Sequence, residues 1–254
     1  DEEDDYDNNN DKNAAILQPQ ELSNALWSFA TLQEPFSRSD LAVRHMTRNV
    51  SRYTSQGLSN CLWSLAVLNH APSNTEMECL LQEATLKLLL ESSSSSSSSF
   101  QNNQEVINLL WSLAVLNYSG GGSSSRDNLT AIRPFLQQVQ QRFSNNPDCF
   151  DVVELKQLHQ VFLWLTSPRE EEEEQQQHKK LSEEDDDEDE LLLQQLQPLL
   201  ERCRHEFEIV QTQNTSRFQT DVVKTLQSLG YYSVKEEQIC SETGYSIDIL
   251  VSSS

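Results

Sequence analysis

The sequence has no apolar run approaching the roughly 20 residues that a membrane-spanning helix needs, so no membrane partner is expected. Glycine is scarce, at 6 residues, and no glycine-rich phosphate loop opens onto a helix. A kinase-type catalytic loop is missing as well. The five cysteines, Cys61, Cys79, Cys149, Cys203 and Cys240, are odd in number, and none stands in a Cys-x-x-Cys pair. That pattern offers neither a zinc site nor a disulfide framework, and the histidines do not complete one. Reduced thiols are expected, with no metal and no cofactor.

Basic residues are also few. Lysine and arginine number 18 against 40 acids, a formal charge of −22. The acidity is concentrated. Residues 1–12 carry seven acids and one lysine, and residues 169–190 carry thirteen acids and three bases. These tracts read as solvated spacers. The remainder is still net negative, which argues against strong nonspecific attraction for nucleic acid.

What the chain does have is a repeat. Asn60-Cys61-Leu62-Trp63-Ser64-Leu65-Ala66-Val67-Leu68-Asn69 returns nearly unchanged from Asn108 to Asn117, and a third copy runs from Asn24 to Gln33. Aligned on their first Asn, the copies share Gln at minus four (Gln20, Gln56, Gln104). They share Leu at plus two (Leu26, Leu62, Leu110), Trp at plus three (Trp27, Trp63, Trp111) and Ala at plus six (Ala30, Ala66, Ala114). Apolar spacings of three and four make one face of a helix. We assign these leucines and alanines to the repeat core, the alanine allowing a neighbouring helix to come close. The tryptophans are placed with them, as a packing knob carried from repeat to repeat. The alternative is a stacking platform for nucleobases. The recurrent Asn and Ser either bridge adjacent helices or face solvent.

A second helical pattern follows each copy. Leu41, Met46 and Val50 follow the first, with Ser39 as N-cap. Ser73 and Glu76 form a capping-box signature after the second. Ile132, Phe135 and Val139 line a face after the third, with Pro134 near a helix start. Each unit is therefore a helical hairpin, and stacked hairpins make an α-solenoid. The repeat interval is 36 residues (Asn24 to Asn60) and then 48 (Asn60 to Asn108), the excess being an insertion around Ser92–Ser99.

The expected organisation is an acidic disordered lead over 1–13, then about three repeats and a capping helix over 14–166. Disordered inserts are expected near 92–99 and 119–126. An acidic low-complexity linker follows over 167–190. The capping helix, 151–165, starts with an Asp151/Glu154 capping pattern, and its Trp164 reads as a degenerate repeat. In the second helix of the first repeat, Arg44, Arg48 and Arg52 recur every four residues and share one face. They are candidate contacts to RNA phosphates, with a solvated helix face as the alternative.

The Leu-Ser-Asn-x-Leu-Trp-Ser-Leu-Ala-x-Leu string resembles the helical repeats of organellar RNA-binding proteins: FASTK-like proteins, octotricopeptide-repeat proteins and RAP-domain proteins. Residues 191–254 add to the resemblance. A helix ending at Leu229-Gly230 leads to a strand over 234–239, a turn at Gly244-Tyr245 and a second strand over Ser246–Val251. This is similar to the start of a RAP domain, whose fold resembles restriction endonucleases. The fold class expected is mainly α, a helical-hairpin solenoid followed by a truncated α/β segment. The resemblance places Asp248 where such nucleases carry a metal-binding carboxylate. The strand that would complete that site is not in this chain, and one carboxylate cannot assemble it.

The resemblance implies a non-enzymatic factor that binds single-stranded RNA in organellar RNA processing, stability or translation. It implies a mitochondrion or plastid; the chain starts without Met, so no targeting segment is visible in it. An endoribonuclease completed beyond this chain is the alternative. Possible protein partners are the third reading, since a net-negative solenoid suits them as well.

Overall fold

The structure is a computed structural model that describes residues 17–91, 102–118, 125–166, 183–211, 217–231, 233–241 and 243–251. The expected acidic lead, the insert over 92–99 and the linker as far as residue 182 lie outside these residues. The chain divides into two compact units, residues 1–99 and 100–254. Both are built of neighbouring helices packed together, and the described chain is mainly helical.

The first unit holds α1 (Pro19–Leu32), α2 (Ser39–Arg48), a 3-10 turn (Val50–Arg52), α3 (Ser55–Val67) and α4 (Asn74–Glu91). Pro19 opens α1, where its missing N–H costs nothing. The Thr54 hydroxyl accepts the Gly57 N–H at 3.0 Å and starts α3. Ser73 and Glu76 exchange backbone and side-chain bonds, the Ser73 N–H donating to Glu76 Oε2 at 2.9 Å. Ser39 is not the cap of α2: its hydroxyl donates to the Phe36 carbonyl at 2.8 Å instead. Helix α1 packs along α3, and α2 along α4. Leu26, Leu58, Leu62 and Leu65 are fully buried between them, with Met46, Met77 and Leu80.

The first helices all stop in the same way. Gln33, Asn69 and Asn117, each nine residues after the first Asn, adopt left-handed backbone with φ of 55°, 53° and 49°. Next to each, the following N–H reaches back five residues: Glu34 to Phe29, His70 to Leu65 and Tyr118 to Leu113, at 2.9–3.0 Å. This is a Schellman ending, and asparagine tolerates the left-handed region better than most residues. The last residue of the ten-residue string is thus a helix terminator.

The second unit holds α5 (Asn103–Val115), α6 (Ser125–Asn145), α7 (Val152–Thr166), α8 (Glu183–Gln211), α9 (Arg217–Ser228), β1 (Val234–Ile239) and β2 (Ser246–Val251). Helix α5 packs on α7, and α8 lies against α6 and α7. The expected capping box holds α7: the Asp151 N–H donates to Glu154 and the Glu154 N–H to Asp151, at 2.9 and 2.8 Å. Three expectations change. Pro134 lies inside α6, and the expected 119–126 insert is helical from Ser125 onward. The acidic linker ends earlier than 190, because Glu183–Glu190 are the first turns of α8, where acids suit the helix dipole. Pro198 lies inside α8. β1 and β2 form an antiparallel pair in the register Val234 to Val251 and Ile239 to Ser246. No disulfide joins the described residues, and burial pushes the Cys61 and Cys203 thiols up to about 12.

The terminator geometry makes a prediction. Gln33→Gly relieves left-handed strain of about 1 kcal/mol and is expected to raise stability by about 0.5 kcal/mol after the added unfolded-state entropy. Asn69→Gly and Asn117→Gly should gain less. Urea denaturation of the three variants checks the order; an equal or opposite ranking refutes the terminator reading.

Candidate nucleic-acid interface

The face of each first helix follows from angles alone. At roughly 100° per residue, the plus-three position lies roughly 100° from the leucine at plus two but only roughly 20° from the glutamine at minus four. Tryptophan therefore belongs to the polar stripe formed by minus four, zero, plus three and plus seven. On α1 that stripe is Gln20, Asn24, Trp27 and Thr31; on α3 it is Gln56, Asn60, Trp63 and Val67; on α5 it is Gln104, Asn108, Trp111 and Val115.

The structure places the side chains accordingly, and this corrects the core assignment. Leu26, Leu62 and Leu110 are fully buried, with Ala30 and Ala66; Ala114 is half-buried. Trp27 is 48% exposed, and Trp63 and Trp111 are half-buried. A six-membered and five-membered ring at the boundary of the polar stripe is not the interior knob expected from leucine neighbours. The signal was in the sequence: the tryptophan's nearest stripe neighbours are amides, not leucines.

The amides are ordered against one another. Gln20 Nε2 donates to Asn24 Oδ1 at 2.9 Å, and Gln104 Nε2 to Asn108 Oδ1 at 2.7 Å. Helix α7 continues the pattern in the second unit. Counted from its start, Gln157 takes the Asn position and Gln160 the Trp position, while Trp164 falls at plus seven. Trp164 is thus a stripe residue one turn further on, not the repeat's own tryptophan. Gln104 Nε2 donates to Gln157 at 3.3 Å, and Gln157 to Asn108 at 3.3 Å. Trp111 Nε1 donates to Gln160 Oε1 at 2.5 Å, and Trp164 Nε1 to Asn117 Oδ1 at 3.2 Å. Exposed amides on the same stripe as an indole, as Gln20, Asn24 and Trp27 are on α1, suit reading and stacking of a single-stranded base, whereas Asn108 on α5 is buried.

The arginine stripe is not continuous. Helix α2 ends at Arg48, so only Arg44 and Arg48 share its face. Arg52 stands on the 3-10 turn, where its guanidinium donates to Gln18 Oε1 at 2.8 Å and Asn49 Oδ1 at 3.4 Å. All three are exposed. The hydrogen bond from the Ser73 hydroxyl holds the Glu76 carboxyl low, with a smaller contribution from the charge of Arg44.

In the second unit several guanidiniums are occupied internally. Arg133 holds Asp189 at 2.7 Å and Glu188 at 3.2 Å, so these acids are partners of α6 and not spacer residues. Arg202 pairs with Asp148 at 2.9 Å, and Arg142 donates to Asn103 Oδ1 at 2.8 Å. Asp248 stands on β2, and its side chain is not among those described. Among the described residues no cluster of His, Cys, Asp and Glu could hold a metal ion, and no helix is long and apolar enough to cross a membrane.

No protein-family model, curated protein or solved structure matches the chain.

The site geometry predicts unequal stability losses at adjacent residues. Leu26→Ala empties a buried position and is expected to cost about 2–5 kcal/mol. Trp27→Ala is expected to cost about 1 kcal/mol or less, far below the usual penalty of truncating a core tryptophan. Thermal or urea unfolding of the two variants measures this; an equally large loss for Trp27→Ala returns the indole to the core.

Proposed function

We propose that this chain is an RNA-binding α-solenoid that holds single-stranded RNA along the polar stripes of its first helices. The observation that carries the reading is the recurrence of amide, amide and partly uncovered indole at fixed helical positions, with the buried leucine always next to the indole. On α5 the stripe residues also bond α7, but on α1 Gln20, Asn24 and Trp27 are all exposed and bond no neighbouring helix among the hydrogen bonds described above. The helical hairpins and the resemblance to organellar RNA-binding repeats support the same reading. On that resemblance α9, β1 and β2 begin a RAP-type α/β segment, and the factor acts without catalysis in organellar RNA processing, stability or translation.

Charge sets the kind of binding. The guanidiniums of Arg133, Arg142 and Arg202 are already hydrogen-bonded within the protein, and the chain is strongly acidic. Affinity would come from stacking and amide contacts more than from counterion release. Association would therefore depend only weakly on salt. The same charge balance favours a second reading, a protein-binding scaffold.

The test is a titration of labelled single-stranded RNA at several salt concentrations. Binding is expected with a log-log salt slope of about −1 to −2. Trp63→Ala should weaken it by about 1–3 kcal/mol if one base stacks there. Changing Arg44 and Arg48 together to Glu should alter the slope by about one to two units, and adding Arg52→Glu little more. Absence of binding at low salt, alongside protein partners that survive ribonuclease, favours the scaffold and rejects the RNA reading.

A further inference from the structure

The stripe of the second unit lacks an aromatic ring at one position. On α7 the slot held by tryptophan in the three copies is held by Gln160. The β-hairpin supplies a ring beside it. Gln160 Nε2 donates to the Tyr245 hydroxyl at 3.3 Å, while Gln160 Oε1 accepts from Trp111. One glutamine side chain, 85 residues from Tyr245 in sequence and 49 from Trp111, thus links two rings from opposite parts of the unit.

The hairpin turn is locked where it stands. His159 Nε2 lies 2.8 Å from the Thr243 carbonyl. A carbonyl only accepts, so this nitrogen carries the proton, and burial lowers the tendency of the ring to take up a second one. Arg204 donates to the Ser241 carbonyl at 2.5 Å and is itself steadied by Glu208 at 2.8 Å. Gly244, at φ 73°, is buried against His159 and Glu208, and a Cβ there would lie 3.5 Å from both. Phe207 packs edge-on to the Tyr245 ring with centroids 4.8 Å apart. The turn is fixed on both sides, yet the ring it delivers is left 41% exposed. A side chain serving only to anchor the hairpin would be covered, as Phe207 is.

We infer that Tyr245 is a base-stacking residue of the RNA interface, brought from the hairpin to continue the row that Trp111 begins and Gln160 interrupts. This rests on the RNA reading above. The ligand class is the same single-stranded RNA, and Tyr245 would extend its footprint by about one base. Stacking needs the ring and not the hydroxyl; anchoring through Gln160 needs the hydroxyl.

The experiment compares wild type, Tyr245→Ala, Tyr245→Phe and Trp63→Ala in equilibrium binding to oligouridine of increasing length. Circular dichroism and melting accompany each variant. Tyr245→Ala is expected to lose about tenfold in affinity for the longer oligomers, and Tyr245→Phe less than about twofold, the ring being retained. Irradiation of a 5-iodouridine-substituted oligomer should crosslink both Trp111 and Tyr245, as read by mass spectrometry. Wild-type affinity in Tyr245→Ala, or equal losses in the Ala and Phe variants, overturns the inference while leaving Trp63→Ala to report on the RNA reading. If wild type itself does not bind, the RNA reading fails and this inference with it.

Discussion

Helix α1 is tied to α3 by a buried serine, and small buried residues recur along the first helices. Ser23, Ala30, Ser59, Ser64, Ala66 and Ser112 are all buried. Burying a hydroxyl is costly unless it is bonded. Ser64 and Ser112 donate to the carbonyls four residues earlier, Asn60 and Asn108, at 2.7 and 2.5 Å. Ser23 donates across the interface to the Gly57 carbonyl at 3.2 Å. Of the larger recurrent residues, Gln20, Asn24 and Trp27 are exposed, while Asn108 is buried.

Electrostatics has been used internally. The run of acids before residue 190 looks like solvated low-complexity sequence, yet its end gives α8 an acidic first turn and gives α6 a partner for Arg133. Such pairs are worth little individually at a surface. Their consequence here is that they leave fewer uncommitted cations for phosphate.

Much of the fold was legible. The helices that carry the repeat, the capping boxes at Ser73 and Asp151, and both strands follow from apolar period and cap chemistry, because these signals are local. Pro134 misled because a proline suits a helix start, whereas α6 runs on both sides of it. The site was only half legible. Trp27, Trp63 and Trp111 were found as a set, but their place on the amide side needed the helical angle and not the identity of adjacent letters. Arg52 left its stripe because α2 stops at Arg48. Neither Gln160 nor Tyr245 carries any local signal of the contact between them; it joins residues 85 positions apart, which only the packed hairpin shows.

Helices packed side by side have axes about 8–10 Å apart, whereas successive nucleotides in a stacked strand are about 3.4 Å apart. A strand laid across α1 and α3, one base to each indole, cannot keep its own bases stacked. Purine-rich strands surrender more self-stacking than pyrimidine-rich ones, so on the proposed RNA reading the spacing of the helices would act as a ruler that selects loosely stacked sequence. Discrimination of this kind comes from the nucleic acid's reluctance to stretch and would operate before any amide touched a base edge.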